Sequence, residues 1–299
     1  MSKNVLVTGI GGFAGTWLTP ELSGAGYRIH GIVNRHGFEG TDLDSVQVAD
    51  LRDLDALRAV VRAVKPSHVV HLAAISFVGH DDAGEIYATN VVGTRNLLQA
   101  LSELDTPPEA ALLTSSANIY GNSDKGVLSE SEPANPANDY AVSKIAMEYM
   151  ARQFLGRLNI VIARPFNYTG VGQAANFLVP KIVNHFRDRA PIIELGNIDV
   201  SRDFSDVRTV VRYLRALLET QKAAGQVYNL CTGKPYSLET IIETCRRLSG
   251  HDLEVRVNPA FVRANEVKIL VGDPAKLHAE VGNFPEYSLE ETLDWMLKA

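Results

Sequence analysis

Cysteine is scarce in this 299-residue chain, with only Cys231 and Cys245 present. They form no CxxC pair and have no pair of histidines close by in sequence, so the sequence carries neither a disulfide framework nor a zinc site. Both read as reduced, packed residues. Basic runs are missing as well, and the formal net charge is -6. This excludes a nucleic-acid backbone as the main partner, because nothing is there to neutralise its phosphates. A local cluster of Arg can still hold one small phosphorylated ligand. Long apolar runs are also absent: Met1 to Asn4 lead straight into Val5-Leu6-Val7, too short for a signal peptide or a membrane span. The expectation is a cytoplasmic protein that binds neither nucleic acid nor membrane. No internal repeat and no low-complexity linker interrupts the chain.

What is present is an ordinary globular composition, 45% hydrophobic and 21% charged, in a chain long enough for one large core plus a smaller lobe. Short apolar runs at Val5 to Thr8, Arg28 to Val33, Val46 to Val48, Val69 to Leu72, Ala111 to Thr114 and Ile160 to Ala163 read as strands. Segments near 53–64, 84–103 and 139–155 have helical period. The alternation βαβα predicts an α/β fold with a doubly wound parallel sheet covered on both faces over residues 1–165. Past Pro165 the pattern loosens. Helices are expected near 176–188, 207–221, 237–249 and 288–298, with strands at Ile192 to Leu195, Val227 to Leu230 and Glu254 to Val257. Residues 166–299 therefore read as a smaller α/β ligand-selecting lobe interwoven with the first unit.

Thr8-Gly9-Ile10-Gly11-Gly12-Phe13-Ala14-Gly15 follows the first strand and opens a helix, the context in which a glycine pattern means dinucleotide binding. Two registers compete, Gly9-Gly11-Ala14 and the wider Gly9-Gly12-Gly15. Either lets the backbone approach a pyrophosphate at the positive end of the helix, as in the Rossmann fold. The second strand ends at Val33-Asn34-Arg35, without the carboxylate that binds the free ribose hydroxyls of NAD. Arg35 can pair with a 2'-phosphate, which favours NADP(H), with NAD(H) the alternative. Asp50 and Leu51 close the third strand near the adenine. Leu72, Ala73 and Ala74 end the fourth, where small residues let the chain pass close to the cofactor, and His71 reads as a packed strand residue.

Tyr140-Ala141-Val142-Ser143-Lys144 lies on a helix that Asp139 is expected to cap, so Tyr140 and Lys144 share a face. An ammonium beside a phenol is expected to draw the Tyr pKa down towards neutrality. Upstream, Ser115-Ser116-Ala117-Asn118-Ile119-Tyr120-Gly121 ends a central strand and brings a hydroxyl to the carboxyl edge of the sheet, where such folds bind ligands. Ser116 is then able to hold a substrate oxygen while Tyr140 moves a proton.

These stretches together resemble the extended short-chain dehydrogenase/reductase family. The likeness rests on TGxxGFxG at Thr8 to Gly15, HLAA at His71 to Ala74, SSAxxYG at Ser115 to Gly121 and YxxSK at Tyr140 to Lys144. It continues through Asn90 to Thr94, Arg164 to Asn167, Gly196 to Phe204 and Val227 to Gly233. Within the family the chain is most similar to the GDP-4-dehydro-6-deoxy-mannose reductases, which form GDP-rhamnose. The resemblance implies a Rossmann domain, a nucleoside-diphosphate-sugar substrate and a homodimer. It gives Ser116, Tyr140 and Lys144 the catalytic roles. Gly9, Gly12, Phe13, Ala14, Gly15, Asn34, Arg35, Asp50, Leu51, Leu72, Ala73, Ala74 and Pro165 then fall on the cofactor, with Asn90 as helical support beside it. Ser76, Asn118, Asn167, Lys181, Arg202, Arg263 and Glu266 join Ser116 on the substrate side.

One departure narrows the chemistry. The related 4,6-dehydratases carry an acid and a Glu directly after the catalytic hydroxyl residue, because loss of water across carbons 5 and 6 needs a proton acceptor and a proton donor there. This chain has Ala117 and Asn118 instead. The expectation is NAD(P)H-dependent reduction of a 4-keto group. A nucleotide-sugar 4-epimerase with tightly bound NAD, and a non-catalytic NADP(H)-binding sensor, use the same features and stand as alternatives.

Overall fold

The computed structural model describes residues 3–35, 38, 40–76, 81–123, 125–262 and 267–299. Its main sheet is built from β1 (Asn4–Thr8), β2 (Arg28–Val33), β3 (Ser45–Val48), β4 (His68–His71), β5 (Ala110–Thr114), β6 (Ile160–Pro165) and β10 (Val227–Leu230). These lie parallel in the order β10-β6-β5-β4-β1-β2-β3. Winding runs outward from β1 to β3 and then returns to β4 on the other side. The crevice at the carboxyl ends of β1 and β4 is therefore the topological switch point, where ligands bind in such sheets.

Both faces of the sheet are dry, which is why its strands read as continuous apolar runs. Val5 and Val7 of β1, Val70 and Leu112 pack beneath α1 (Phe13–Gly24) and α7 (Val207–Glu219). Leu6, Val69, Ala111 and Leu113 face the other way, towards α2 (Leu54–Val64), α4 (Thr94–Ser102) and α5 (Asp139–Ala151). Truncating a fully buried member such as Leu112 to Ala would cost about 2–5 kcal/mol. In α2 the causes of a helix are explicit. Asp53 caps it by accepting from the amides of Asp55 and Ala56, Leu57, Val60, Val61 and Val64 form the buried stripe, and Lys65 ends it in the left-handed region.

The expected helix near 84–103 is interrupted. It consists of α3 (Ala83–Tyr87), a π turn over Ala88–Gly93, and α4. The remaining elements are β7 (Asn167–Thr169), α6 (Leu178–Arg187), β8 (Ile192–Leu195), β9 (Ser201–Asp206), β11 (Pro235–Ser237), α8 (Leu238–Ser249), β12 (Glu254–Val257), β13 (Ile269–Leu270), α9 (Ala275–Val281) and α10 (Leu289–Lys298). Strands β11, β9, β13 and β7 make a small mixed sheet, and β12 pairs with β8. A separate core of Ile182, Phe186, Ile193, Phe204, Ile241 and Leu293 holds α6, α8 and α10 around them. Among the described residues no helix is long and apolar enough to cross a membrane. Cys231 and Cys245 are both free and buried.

Candidate active site

At the switch point the turn after β1 is crowded by backbone. A Cβ on Gly9, whose φ is +70°, would sit 2.7 Å from the amide nitrogen of Ala73, and one on Gly15 would strike the carbonyls of Gly9 and Ile10. A Cβ on Gly11 would meet only the ring of Phe38. The backbone thus favours the wider register, Gly9-Gly12-Gly15. Helix α1 is preceded by Gly12 at its N-cap, which offers no side-chain cap, and its first turn holds no acidic residue. Its leading N–H groups and positive dipole end are left for an external anion, so these residues fit a dinucleotide pyrophosphate. Phe13 and Ala14 are half-buried at the same turn.

Asn34 and Arg35 are exposed at the carboxyl end of β2. Asp50 is held by Arg52, whose backbone N–H and guanidinium both donate to it, at 2.8 and 3.0 Å. Leu51 is buried and packs against Gly93 of the π turn. Leu72 N–H donates to the Thr8 carbonyl at 3.2 Å, which lays Leu72 and Ala73 directly over Gly9. Pro165 is buried at the end of β6, beside Leu230.

His71 is a structural residue. Its Nδ1 lies 2.6 Å from Thr8 Oγ1 and its Nε2 2.8 Å from Thr94 Oγ1. Thr94 donates to the Asn90 carbonyl, so it accepts from Nε2–H, and Nδ1 is left to accept from Thr8. Burial and the charge of Lys144 push the imidazole pKa down to about 3, keeping it neutral. Asn90, 1% exposed in the π turn, uses its whole amide. Its oxygen accepts from Ile75 N–H, and its nitrogen donates to the Ile75 carbonyl and to Ser143 Oγ. It thereby ties the loop after β4 to α5.

Helix α5 is capped by Asn138, whose side chain accepts from Ala141 N–H. Asp139, expected as the cap, is instead the first helical residue and accepts from Tyr87 Oη at 2.8 Å. Tyr140 and Lys144 are both buried. Lys144 Nζ donates to the Thr114 carbonyl at 2.8 Å and lies 5.9 Å from the centre of the Tyr140 ring. Ser116 caps the 3-10 turn Ala117–Tyr120, its Oγ accepting from Asn118 N–H at 3.1 Å and from the Asn118 side-chain amide at 3.2 Å. The strand end, the turn and the helix so bring Ser116, Tyr140 and Lys144 together.

The electrostatics differ from expectation. Burial raises the Tyr140 pKa, and only its interaction with Ser116 acts the other way. Burial also lowers Lys144, to about 8, opposed by Glu148. Desolvation sets both directions, because the whole set is buried and the charged form of each group loses its water.

Beyond β6, Asn167 Nδ2 lies 3.4 Å from the Asp203 carbonyl. Lys181 donates to the Glu194 carbonyl at 2.6 Å and lies over the Phe261 ring. Arg202, 9% exposed, donates to the carbonyls of Ser201 and Lys268. Ser76 is exposed just after the β4 loop. Arg263 and Glu266 lie outside the described residues.

Sequence reasoning missed Tyr168, which stacks on Phe13 at 5.8 Å and whose phenol is held protonated by its burial and, to a lesser degree, by the neighbouring Tyr140. It directly follows Asn167, and a strand so short gives little periodic signal. Glu148 was missed too, although it stands four residues beyond Lys144.

A glycine turn under a helix N-terminus, set beside a Ser, Tyr and Lys at the carboxyl edge of a parallel sheet, defines an extended short-chain dehydrogenase/reductase, an NAD(P)-dependent oxidoreductase. The model of the GDP-mannose 4,6 dehydratase family matches residues 6–296, and the chain belongs to that family. It is 35% identical to the GDP-6-deoxy-D-talose 4-dehydrogenase of Aggregatibacter actinomycetemcomitans, over 93% of this chain and 91% of that one. It is 32% identical to the GDP-6-deoxy-D-mannose reductase of Pseudomonas aeruginosa, over 99% and 98%. Among solved structures, a Burkholderia cenocepacia protein provisionally named an epimerase superposes with a TM-score of 0.93 at 48% identity, covering 99% of this chain and 97% of that one. RMD from Pseudomonas aeruginosa, solved with NADPH, gives 0.85 at 30% identity, covering 100% and 97%.

Proposed function

We propose that the protein reduces the 4-keto group of a GDP-linked 6-deoxy sugar, GDP-4-dehydro-6-deoxy-D-mannose, to GDP-D-rhamnose with NADPH. The observation that carries this reading is Asn118. Where a dehydratase needs a carboxylic acid and a Glu after the catalytic hydroxyl, this chain has Ala117 and an amide bonded to Ser116 Oγ. An amide neither accepts nor releases the proton that elimination requires. Ketoreduction needs only a proton donor at the carbonyl oxygen, and that is what the site offers.

A bound nicotinamide supplies the hydride. Tyr140 donates its proton to the oxygen at carbon 4, a role its raised pKa suits, since the phenol stays protonated until an alkoxide develops. Ser116 holds that oxygen in place. Lys144 spends one N–H on Thr114 and keeps two for the cofactor ribose. Gly9, Gly12 and Gly15 seat the pyrophosphate, and Arg35 meets the 2'-phosphate with no carboxylate beside it in sequence. Residues 166–299 act as the nucleotide-sugar lobe, with Ser76, Asn167, Lys181, Arg202, Arg263 and Glu266 on the substrate. The exposed Tyr149, Val92 and Leu155, with Arg152 stacked on Tyr149, suit a homodimer through α5 and the neighbouring π turn. The buried free thiols suit the cytoplasm.

The relative named a talose dehydrogenase raises a second stereochemical outcome, because 6-deoxy-talose differs from rhamnose at carbon 4. Separation of the GDP-sugars formed from the 4-keto substrate and NADPH tests the reading. GDP-rhamnose supports it in full, the talose sugar corrects the face of hydride attack, and formation of neither sugar overturns it.

A further inference from the structure

Directly behind the catalytic set lies a buried network that the proposed chemistry does not use. Glu148, fully buried, follows Lys144 by one turn of α5. Arg164, on β6, meets it with two parallel bonds, Nε to Oε1 at 2.9 Å and Nη2 to Oε2 at 2.7 Å. The remaining nitrogen of the same guanidinium, Nη1, donates to Tyr120 Oη at 2.8 Å and to the Glu130 carbonyl at 3.2 Å. Tyr120 donates onward to Asn229 Oδ1 at 2.7 Å, and Asn229 is pinned in turn by the Leu128 carbonyl and the Glu130 carboxylate.

The two ends of this guanidinium reach different halves of the site. Tyr140, Lys144 and Glu148 succeed one another at four-residue steps along α5, whereas Tyr120 closes the 3-10 turn that Ser116 opens. A buried ion pair is a poor source of net stability, since apolar residues of similar volume often do as well or better. Its distinctive property is geometry, because a planar guanidinium fixes both partners at once. We propose that Arg164 is a positioning residue which sets the separation of the Ser116 hydroxyl and the Tyr140 phenol by bracing Tyr120 and Glu148 together. The proposal rests on the reading of Ser116 and Tyr140 as the reacting pair.

A double-mutant cycle tests it. Tyr120→Phe deletes only the braced oxygen and should lower kcat about tenfold with KM for NADPH unchanged. In a Ser116→Ala background the same change should cost less than about twofold, because the group being positioned is gone. Arg164→Lys, a point charge able to hold Glu148 but not both partners, should repeat the pattern and serves if Tyr120→Phe folds poorly. Without substrate, amide hydrogen exchange at residues 116–121 should quicken in Tyr120→Phe while residues 140–148 stay protected. An equal loss of kcat in both backgrounds, or unchanged exchange at 116–121, overturns the brace. A wild-type protein that reduces no GDP-sugar overturns the functional reading instead, and the exchange measurement still decides the brace.

Discussion

The Lys144 ammonium donates to the backbone carbonyl of Thr114, 2.8 Å away at the end of the central strand. One hydrogen bond thus ties the helix that carries Tyr140 to the strand that leads into Ser116. It also places a cation in a buried site, where desolvation lowers the Lys144 pKa to about 8, and burial raises that of Tyr140 beside it.

The pH dependence of kcat/KM for NADPH follows from that asymmetry, since this ratio reports the groups of the free enzyme. Lys144 carries its charge below about pH 8 and loses it above, while Tyr140 keeps its proton throughout. The profile should be level through neutrality and fall as the pH rises past about 8. A profile that instead falls on the acid side between pH about 7 and 5 would assign control to another group.

Replacing Tyr140 by Phe removes the proton donor but keeps the ring that packs beneath Lys144. Turnover should fall by about 10² or more, with the Kd of NADPH changed less than about threefold. Steady-state kinetics beside a fluorescence titration of NADPH separates the two effects.

Much of this site is legible in the sequence because it is local. The glycine turn, the YxxxK spacing and the SSA turn each lie within a few residues of sequence, and the apolar runs mark the seven strands of the main sheet to within a residue or two, while β7, β9, β11 and β13 go unmarked. The π turn at Ala88–Gly93 is not legible, since its residues carry the same apolar pattern as the helices on either side. The cap of α5 fell one residue early because Asn and Asp are equally good caps, and only the backbone decides which faces Ala141 N–H. The Arg164 network is invisible for a different reason. Its members come from β6, α5, the Ser116 turn and β10, and only the sheet order brings them together. The direction of the Tyr140 shift depends on burial, which spacing does not report.

Cofactor choice should rest on Arg35. Its replacement by Ala should raise the KM for NADPH about tenfold and leave that for NADH nearly unchanged, since only the 2'-phosphate loses a charge-assisted partner. Equal effects on both cofactors would move the selectivity elsewhere.

His71 should make the fold sensitive to acid. Its pKa is about 3 in the folded chain against 6.5 unfolded, so between these values only the unfolded chain binds the proton. Stability is therefore held above pH 6.5 and lost as the pH falls towards 3. Between pH about 6.5 and 4.5, His71→Asn should flatten the fall in denaturation midpoint by up to about one proton's worth of slope, measured by urea unfolding. Parallel curves for the two proteins would place the acid sensitivity in other groups.

The central claim is tested most directly by the loss of NADPH absorbance with GDP-4-dehydro-6-deoxy-mannose, run beside NADH and beside the matching dTDP-sugar. The account predicts rapid oxidation of NADPH with the GDP-sugar, slower oxidation of NADH, and little with the dTDP-sugar. No oxidation with either sugar, in a protein that purifies with stoichiometric NAD, would contradict it and point to an epimerase.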